Sequence, residues 1–244
     1  MVLAFETSAK AASVALLEGD KLIGESYQNT GLTHSQTLMQ MCEDLLATCG
    51  KTVSDITAVA VANGPGSFTG VRIGVAAAKG LAWGAELPCY GVSTLEAMAE
   101  GLGVYDGFVV PTMDARRSQT YTAIFRAEEG KLTRVMEDCA ISFAELAEKL
   151  KSCEKSIFLV GDGAVLCYNT LKEAVTGLVL PPEHRQHQRA AGVALAAQKM
   201  IVAGESGDGA SLSPNYLRLS QAERERLARE EKYRRLSLWA LFTN

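Results

Sequence analysis

A glycine-rich loop is the segment of this chain whose residue types are best suited to binding a phosphate. The loop, Gly64-Pro65-Gly66-Ser67-Phe68-Thr69-Gly70, lies between an apolar stretch and a run of small residues, so we expect it to join a strand to a helix. Glycines there let the backbone approach an anion, and the first N–H groups of a helix bind one. However, no Lys-Ser/Thr pair follows Gly70, and Pro65 lacks an N–H. The loop is therefore either a structural turn that packs closely against the helix or an anion contact at a shared interface. The sequence leaves both interpretations open.

A carboxylate and two hydroxyls close the first apolar stretch of the chain. Glu6, Thr7 and Ser8 could position a magnesium–nucleotide complex through water, or Glu6 could be a solvated or capping group. A second junction, Gly161-Asp162-Gly163-Ala164, could accept an adenosine or form a simple turn. The candidate remnant of a phosphate or nucleotide site comprises Glu6, Thr7, Ser8, Gly64, Gly66, Ser67 and Thr69.

Histidine and cysteine give little support to metal or nucleophile chemistry. His184 and His187 lie in a proline-flanked loop, and His34 stands alone near a predicted helix start. A zinc peptidase needs two histidines about one helical turn apart and a third ligand. The six cysteines form no Cys-x-x-Cys pair, and the sequence has no Gly-x-Ser-x-Gly motif. We therefore expect no metal site, no catalytic residue and reduced thiols.

The order of predicted elements repeats along the chain. Three strands (2–5, 13–17 and 21–27) precede a helix, a strand and a second helix, and a similar order restarts after about residue 106. The repetition indicates an α/β protein with two lobes of duplicated mixed sheets. We expect lobes at 1–103 and 104–215, and a charged helical tail at 216–244.

Composition narrows the class of protein. The chain has 244 residues, 48% of them hydrophobic, and a formal net charge of −4. With no long basic stripe, strong binding to nucleic acid by this chain alone is disfavoured. The N-terminus lacks the pattern of a signal peptide, and no apolar run is long enough to span a membrane. We expect a cytoplasmic globular protein without a membrane partner.

Several of these segments occur together in one known family. Leu3-Ala4-Phe5-Glu6-Thr7-Ser8, His34-Ser35-Gln36, the loop with its continuation Val71-Arg72-Ile73-Gly74, Asp114-Ala115-Arg116-Arg117 and Pro214-Asn215-Tyr216-Leu217-Arg218 are arranged as in the bacterial TsaB (YeaZ) family. The chain resembles that family over most of residues 1–218.

The resemblance implies a fold of the actin, Hsp70 and sugar-kinase type and a non-catalytic role. Such proteins act with TsaD, which carries the metal and the transfer chemistry, and with the ATPase TsaE. Together they install threonylcarbamoyl on N6 of the adenosine beside the anticodon in tRNAs that read ANN codons. The resemblance therefore implies that this chain meets tRNA only through the complex, and that ATP or ADP binds only at the complex interface. Two alternatives are an active ATP-dependent phosphotransferase of the same fold and, less favoured, a peptidase.

The resemblance also places the partner contact on the first two helices. In this sequence they span about 34–49 and 70–84, and their apolar stripe, small residues and Met39 favour docking as well as core packing. We expect them to pair with a TsaD-like protein, or with a second copy in its absence. The candidate interface residues are Leu38, Met41, Cys42, Leu45, Leu46, Arg72, Gly74, Ala77, Ala78 and Leu81.

Overall fold

Ten strands, six α-helices and two short 3-10 helices (Val53–Asp55 and Glu183–Arg185) make up the regular structure of the described residues. In this computed structural model the described residues are 1–103 and 105–218, together with Arg226 and Arg229. The first half contains β1 (Val2–Glu6), β2 (Ala12–Glu18), β3 (Lys21–Gln28), α1 (His34–Thr48), β4 (Ala58–Gly64), α2 (Phe68–Gly84), β5 (Cys89–Ser93) and α3 (Thr94–Glu100). The second half contains β6 (Gly107–Asp114), β7 (Gln119–Glu128), β8 (Lys131–Ser142), α4 (Phe143–Leu150), β9 (Ile157–Val160), α5 (Ala164–Leu171), β10 (Leu178–Val179) and α6 (Ala190–Val202).

The first sheet is mixed, in the order β3-β2-β1-β4-β5. Strands β1, β2 and β3 form an antiparallel meander, because tight turns join them, whereas β4 and β5 run parallel to β1. Strand β1 is buried along its whole length, as its central position requires. Helices α1 and α2 cover one face of this sheet.

The second sheet repeats the topology of the first. Its order, read from the β8 edge, is β8-β7-β6-β9-β10, with β6, β7 and β8 antiparallel and β9 and β10 parallel to β6. Each sheet therefore consists of a three-stranded meander extended by two parallel strands. This confirms the predicted two-lobed α/β architecture with duplicated mixed sheets.

Helix α6 crosses back from the second half to the first sheet. Its alanines pack against the face opposite α1 and α2, on residues of β1, β2 and β4. Arg189 and Glu25 anchor its start, with a guanidinium–carboxylate distance of 2.6 Å, and Ser13 Oγ accepts the N–H of Ala190 at 2.7 Å. The expected lobe at 104–215 is therefore not a self-contained unit, because 190–202 belongs to the core of the first lobe.

Side chains from both halves join the lobes at α3. Leu95 and Met98 are buried against the second sheet, and Arg134 on β8 contacts Glu96 at 2.6 Å. The helical tail predicted for 216–244 lies outside the described residues, apart from 216–218, Arg226 and Arg229. Within the described part, none of the helices is long and apolar enough to span a membrane.

Candidate functional site

The glycine-rich loop packs against the end of β1 through its own backbone. The N–H of Ser67 donates to the carbonyl of Ser8 at 2.6 Å, and the Thr7 hydroxyl donates to the carbonyl of Gly70 at 2.8 Å. A Cβ on Gly66 would lie 2.5 Å from the Ser8 carbonyl oxygen, and one on Gly70 would overlap the Thr7 carbonyl oxygen. The glycines therefore permit the loop to pack closely on the strand, as expected if the loop is a structural turn.

The start of α2 is capped from inside the same loop. Ser67 Oγ accepts the N–H of Gly70 at 3.3 Å, and the Ser67 carbonyl accepts the N–H of Val71 at 2.9 Å. Five residues of the predicted remnant meet here: Glu6, Thr7, Ser8, Gly66 and Ser67. The other two do not join them, since Thr69 is exposed on the first turn of α2 and Gly64 lies under the backbone of Asn215.

Glu6 is a fully buried carboxyl group at the bottom of this arrangement. One oxygen accepts the N–H of Ser8 at 2.5 Å, whereas Oε2 has no hydrogen-bond partner. Burial raises the pKa of Glu6 to about 7 against the lowering effect of the Ser8 hydrogen bond, and the Asp162 carboxylate adds to the rise. At neutral pH a large fraction of the molecules therefore carries a proton on Glu6, and a protonated carboxyl is a poor magnesium ligand.

A cleft of about 710 Å³ separates the two lobes above Glu6. Its lining residues from the two sides are Ser8, Ala9, Lys10, Gly66, Ser67, Met113, Asp114, Ala115, Arg116, Tyr121, Asp162 and His187. Asp162 accepts a hydrogen bond from the Gln188 amide at 3.1 Å, and burial raises its pKa. The turn Gly161-Asp162-Gly163-Ala164 thus lies across the cleft from the β1 end. Among the described residues, no three His, Cys, Asp or Glu side chains could together hold a metal ion.

Two backbone donors at the β1 end are engaged within the chain. The N–H of Ser8 is already taken by Glu6, and the N–H of Ser67 by the Ser8 carbonyl. These two N–H groups are therefore not free to bind a phosphate.

The buried thiols are poor nucleophiles. Burial raises the pKa of Cys42 and Cys89 to about 11 and that of Cys167 to about 12, so these groups stay protonated at neutral pH. His34 Nε2 lies 2.7 Å from the carbonyl oxygen of Ala9, so this ring nitrogen is engaged with the backbone.

A shallow groove of about 440 Å³ runs between α1 and α2 on the outer surface of the first lobe. This helix groove is lined by Gln36, Met39, Gln40, Cys42, Glu43, Leu46, Val53 and Leu81. Met39 is 48% exposed, a large fraction for an apolar side chain, whereas Cys42 and Leu46 form the buried floor. The groove offers an unpartnered apolar surface.

The structure corrects the choice of interface residues on these helices. Leu38, Met41, Leu45, Gly74 and Ala78 are buried against the sheet and are not available to a partner. A Cβ on Gly74 would overlap the Thr7 hydroxyl, so the close approach that this glycine permits is to β1 of the same chain. Arg72 is exposed, and Ala77 and Leu81 are half-buried. The sequence could not separate these sets, because small residues line both faces of α2.

A C-terminal strap, residues 213–218, is a feature to which the sequence analysis assigned no role. The N–H of Asn215 donates to the Asn63 carbonyl at 2.6 Å, and the Arg218 guanidinium donates to the Ala115 carbonyl at 2.5 Å. The strap therefore contacts both lobes. In the sequence, only the resemblance of segment 214–218 to the TsaB family pointed to this feature.

The duplicated topology and the cleft define the class of protein. Two sheets of identical strand order, with a helix from the second half completing the first, form the two-lobed actin, Hsp70 and sugar-kinase type of fold.

Comparisons with known proteins narrow this class to one family. A family model described as TsaD, tRNA N6-adenosine threonylcarbamoyltransferase, matches residues 28–226. The chain is 34% identical to the tRNA threonylcarbamoyladenosine biosynthesis protein TsaB of Bacillus subtilis, over 91% of this chain and 96% of that protein. It is 38% identical to TsaB of Escherichia coli, over 73% of this chain and 78% of that protein. The chain therefore belongs to the TsaB family of tRNA threonylcarbamoyladenosine biosynthesis proteins.

Solved structures agree with this assignment. A Pseudomonas aeruginosa structure described as YeaZ has a TM-score of 0.74 and 27% identity, covering 88% of this chain and 99% of that one. A crystal structure from the same organism, described as an uncharacterized protein similar to the peptidase YeaZ, has a TM-score of 0.77 and 26% identity, covering 89% and 99%.

Proposed function

We propose that this chain is a non-catalytic dimerisation and scaffold subunit of the complex that transfers threonylcarbamoyl to tRNA. It acts with TsaD-like and TsaE-like proteins on N6 of the adenosine next to the anticodon in tRNAs that read ANN codons. Membership of the TsaB family supports the pathway, and the geometry of this chain supports the division of labour within it.

The main support for a non-catalytic role is the closed loop at the end of β1. Ser67 donates to the Ser8 carbonyl, and the backbone of Thr7 and Ser8 fills the space beside Gly66 and Gly70. A kinase of this fold would need free backbone donors and an ionised acid there. We therefore assign the transfer chemistry to the TsaD-like partner, and any ATP or ADP to the interface between subunits.

The partner surface that we propose is the helix groove with the outer face of α2. The exposed Met39 and Val53 and the half-buried Leu81 supply its apolar rim, and nothing lies within 4 Å of a Cβ built on Gly80. Another helix can therefore approach α2 closely along this face. In isolation the same surface would pair with a second copy, which gives a homodimer.

A matched pair of substitutions tests this surface. Met39 on α1 and Leu166 on α5 are 48% and 47% exposed, so replacing either by Glu removes a similar amount of apolar surface. We expect Met39→Glu to abolish self-association in light scattering and co-elution with the TsaD-like protein, because a charge would enter the interface. Leu166→Glu should change neither.

The opposite pattern would contradict the proposal. If folded Met39→Glu protein still dimerises and still co-elutes with the TsaD-like protein, the partner surface does not include the helix groove. Circular dichroism of both variants shows whether each one is folded.

A further inference from the structure

A positively charged and aromatic surface surrounds the mouth of the cleft at the strap. This mouth patch consists of Phe68, Arg72, Arg116, Arg117, Tyr216 and Arg218. The patch contains four arginines, although the formal net charge of the whole chain is −4. The exposed Lys10 lines the cleft beside the patch, together with Arg116.

Direct contacts hold the patch together across the two lobes. The rings of Phe68 and Tyr216 stack with centroids 4.9 Å apart, and the Arg72 guanidinium lies 3.7 Å from the centre of the Phe68 ring. Arg72 Nε donates to the Tyr216 hydroxyl at 2.7 Å. Arg218, two residues after Tyr216, donates to the carbonyl of Ala115, which directly precedes Arg116 and Arg117.

The charges on this surface are largely free to meet an anion. The Arg116 side chain is 87% exposed and lies 4.0 Å from Asp114, the nearby acid, which also accepts the Arg116 backbone N–H. Arg117 is exposed as well. Arg116, Arg117 and Ser118 all have φ between 56° and 65°, so the turn holds both arginines out on a left-handed backbone.

We propose that the mouth patch is an RNA contact surface of this chain. Arg116 and Arg117 bind phosphates, and the stacked pair of Tyr216 and Phe68 offers a ring face to an unpaired base. The inference rests on the proposed function, which supplies a tRNA as the partner of the complex. It goes beyond that function because this chain itself, and not only its protein partners, then touches the nucleic acid.

The combination of rings and guanidinium groups favours RNA over an acidic protein. Tyr216 and Phe68 are 39% and 37% exposed, and unpaired bases stack on aromatic and arginine planes of this kind. An acidic protein surface would use the charges but not the ring faces. A handful of cations binds RNA weakly, in agreement with a chain that adds contacts within a complex.

The first test measures binding of a fluorescent anticodon stem–loop RNA by the complex of this chain with the TsaD-like and TsaE-like proteins. In the variant, Arg116→Glu is combined with Arg117→Glu. In the control, Lys21→Glu is combined with Lys131→Glu, which makes the same change in charge at hairpin ends away from the cleft. We expect the variant to weaken binding roughly tenfold and to lower the salt slope by about 2, and the control to change neither.

The second test separates stacking from packing at Tyr216. Tyr216→Phe keeps the ring, whereas Tyr216→Leu keeps an apolar side chain without a ring. We expect Leu to raise the KM for tRNA roughly fivefold or more at unchanged kcat, and Phe to leave the KM within about twofold.

Two results would overturn the inference. One is unchanged RNA affinity and KM in the arginine and Tyr216→Leu variants. The other is loss of co-elution with the partner proteins, with RNA affinity retained by whatever complex forms, which would make the patch a protein-docking surface. Omitting the chain from the modification reaction tests the proposed function separately, so the two failures can be told apart.

Discussion

Glu6 is the residue on which the proposed non-catalytic role depends most. Glu6 lies at the end of a central strand, a position from which an acid can face a ligand in this fold. In this chain the carboxyl group is buried, and one of its oxygens has no hydrogen-bond partner. Burial, more than any neighbouring charge, raises its pKa to about 7. The residue therefore acts as a buried polar group that costs stability when ionised.

Replacing Glu6 by Gln should remove a pH dependence of stability. The folded-state pKa of about 7 lies above the ordinary value of 4.5 for a glutamate, so the folded protein binds more protons between these two pH values. The stabilising contribution of the protonated form is complete below about pH 4.5 and is lost as the pH rises through 7. Above pH 8 we expect Glu6→Gln to exceed the wild type by about 3 kcal/mol in free energy of unfolding.

Denaturant unfolding of both proteins at pH 5 and pH 8 checks this. Gln can still accept the Ser8 N–H through its carbonyl oxygen, so the fold should persist. Because other groups titrate equally in both proteins, the difference between the two curves isolates Glu6. Curves that stay parallel from pH 5 to pH 8 would show that Glu6 is ionised in the folded protein throughout.

At the scale of the element, α2 has two faces that both carry small residues for different reasons. Gly70 and Gly74 face β1, where a side chain would meet Thr7. Gly80 faces outwards, with nothing within 4 Å of a Cβ built on it. One helix thus uses glycine for internal packing on one side and leaves Gly80 exposed on the other.

Replacing glycine by alanine on the two faces of α2 should therefore change the free energy of unfolding in opposite directions. Gly70→Ala should destabilise the monomer by about 1–3 kcal/mol or more, because the methyl group meets backbone that cannot move aside. Gly80→Ala should stabilise the isolated helix position by about 1 kcal/mol. Chemical denaturation at concentrations below self-association measures both. Equal signs for the two variants would mean that the faces of α2 are wrongly assigned.

The sequence predicted most elements because their local signals were strong. Ser93 and Ser142 accept hydrogen bonds from N3, as expected of helix caps. Thr33 is the N-cap residue of α1, and no side-chain hydrogen bond caps this helix. The two-residue strand β10 was missed because so short a segment carries no periodic pattern.

At the scale of the whole molecule, α6 follows the second sheet in the chain but packs on the first sheet. The first lobe therefore depends on the second half of the chain for part of its core. The apolar residues of this helix indicated burial but could not indicate which sheet it covers. For the same reason the sequence placed Ser8 and Asp162 in separate motifs without showing that they line one cleft. Contacts between residues distant in sequence determine both features, and local patterns do not record them.

A fragment of residues 1–103 should not fold cooperatively. Without α6, an apolar face of the first sheet that includes Val2, Ala15 and Val92 would be exposed to water. We expect a broad thermal transition and dye binding typical of exposed apolar surface. Joining 186–218 to this fragment through a flexible linker should restore a sharp transition, and a sharp transition in 1–103 alone would show that α6 is dispensable.

ATP should bind the isolated chain weakly or not at all. The cleft between the lobes is large enough for a ligand, but the N–H groups of Ser8 and Ser67 at the β1 end are engaged within the chain. Isothermal titration calorimetry with ATP and magnesium measures this directly. A dissociation constant in the low micromolar range would favour the phosphotransferase alternative, above all if Glu6→Gln abolished binding.

The most direct test of the non-catalytic role is a reconstituted modification reaction on an ANN-decoding tRNA. The reaction contains the TsaD-like and TsaE-like proteins with no third protein, with this chain, or with its Glu6→Gln variant. We expect modification to require the chain and the variant to support it at the rate of the wild type. Modification of equal rate without the chain, or a folded Glu6→Gln variant that assembles but supports no modification, would contradict the role proposed here.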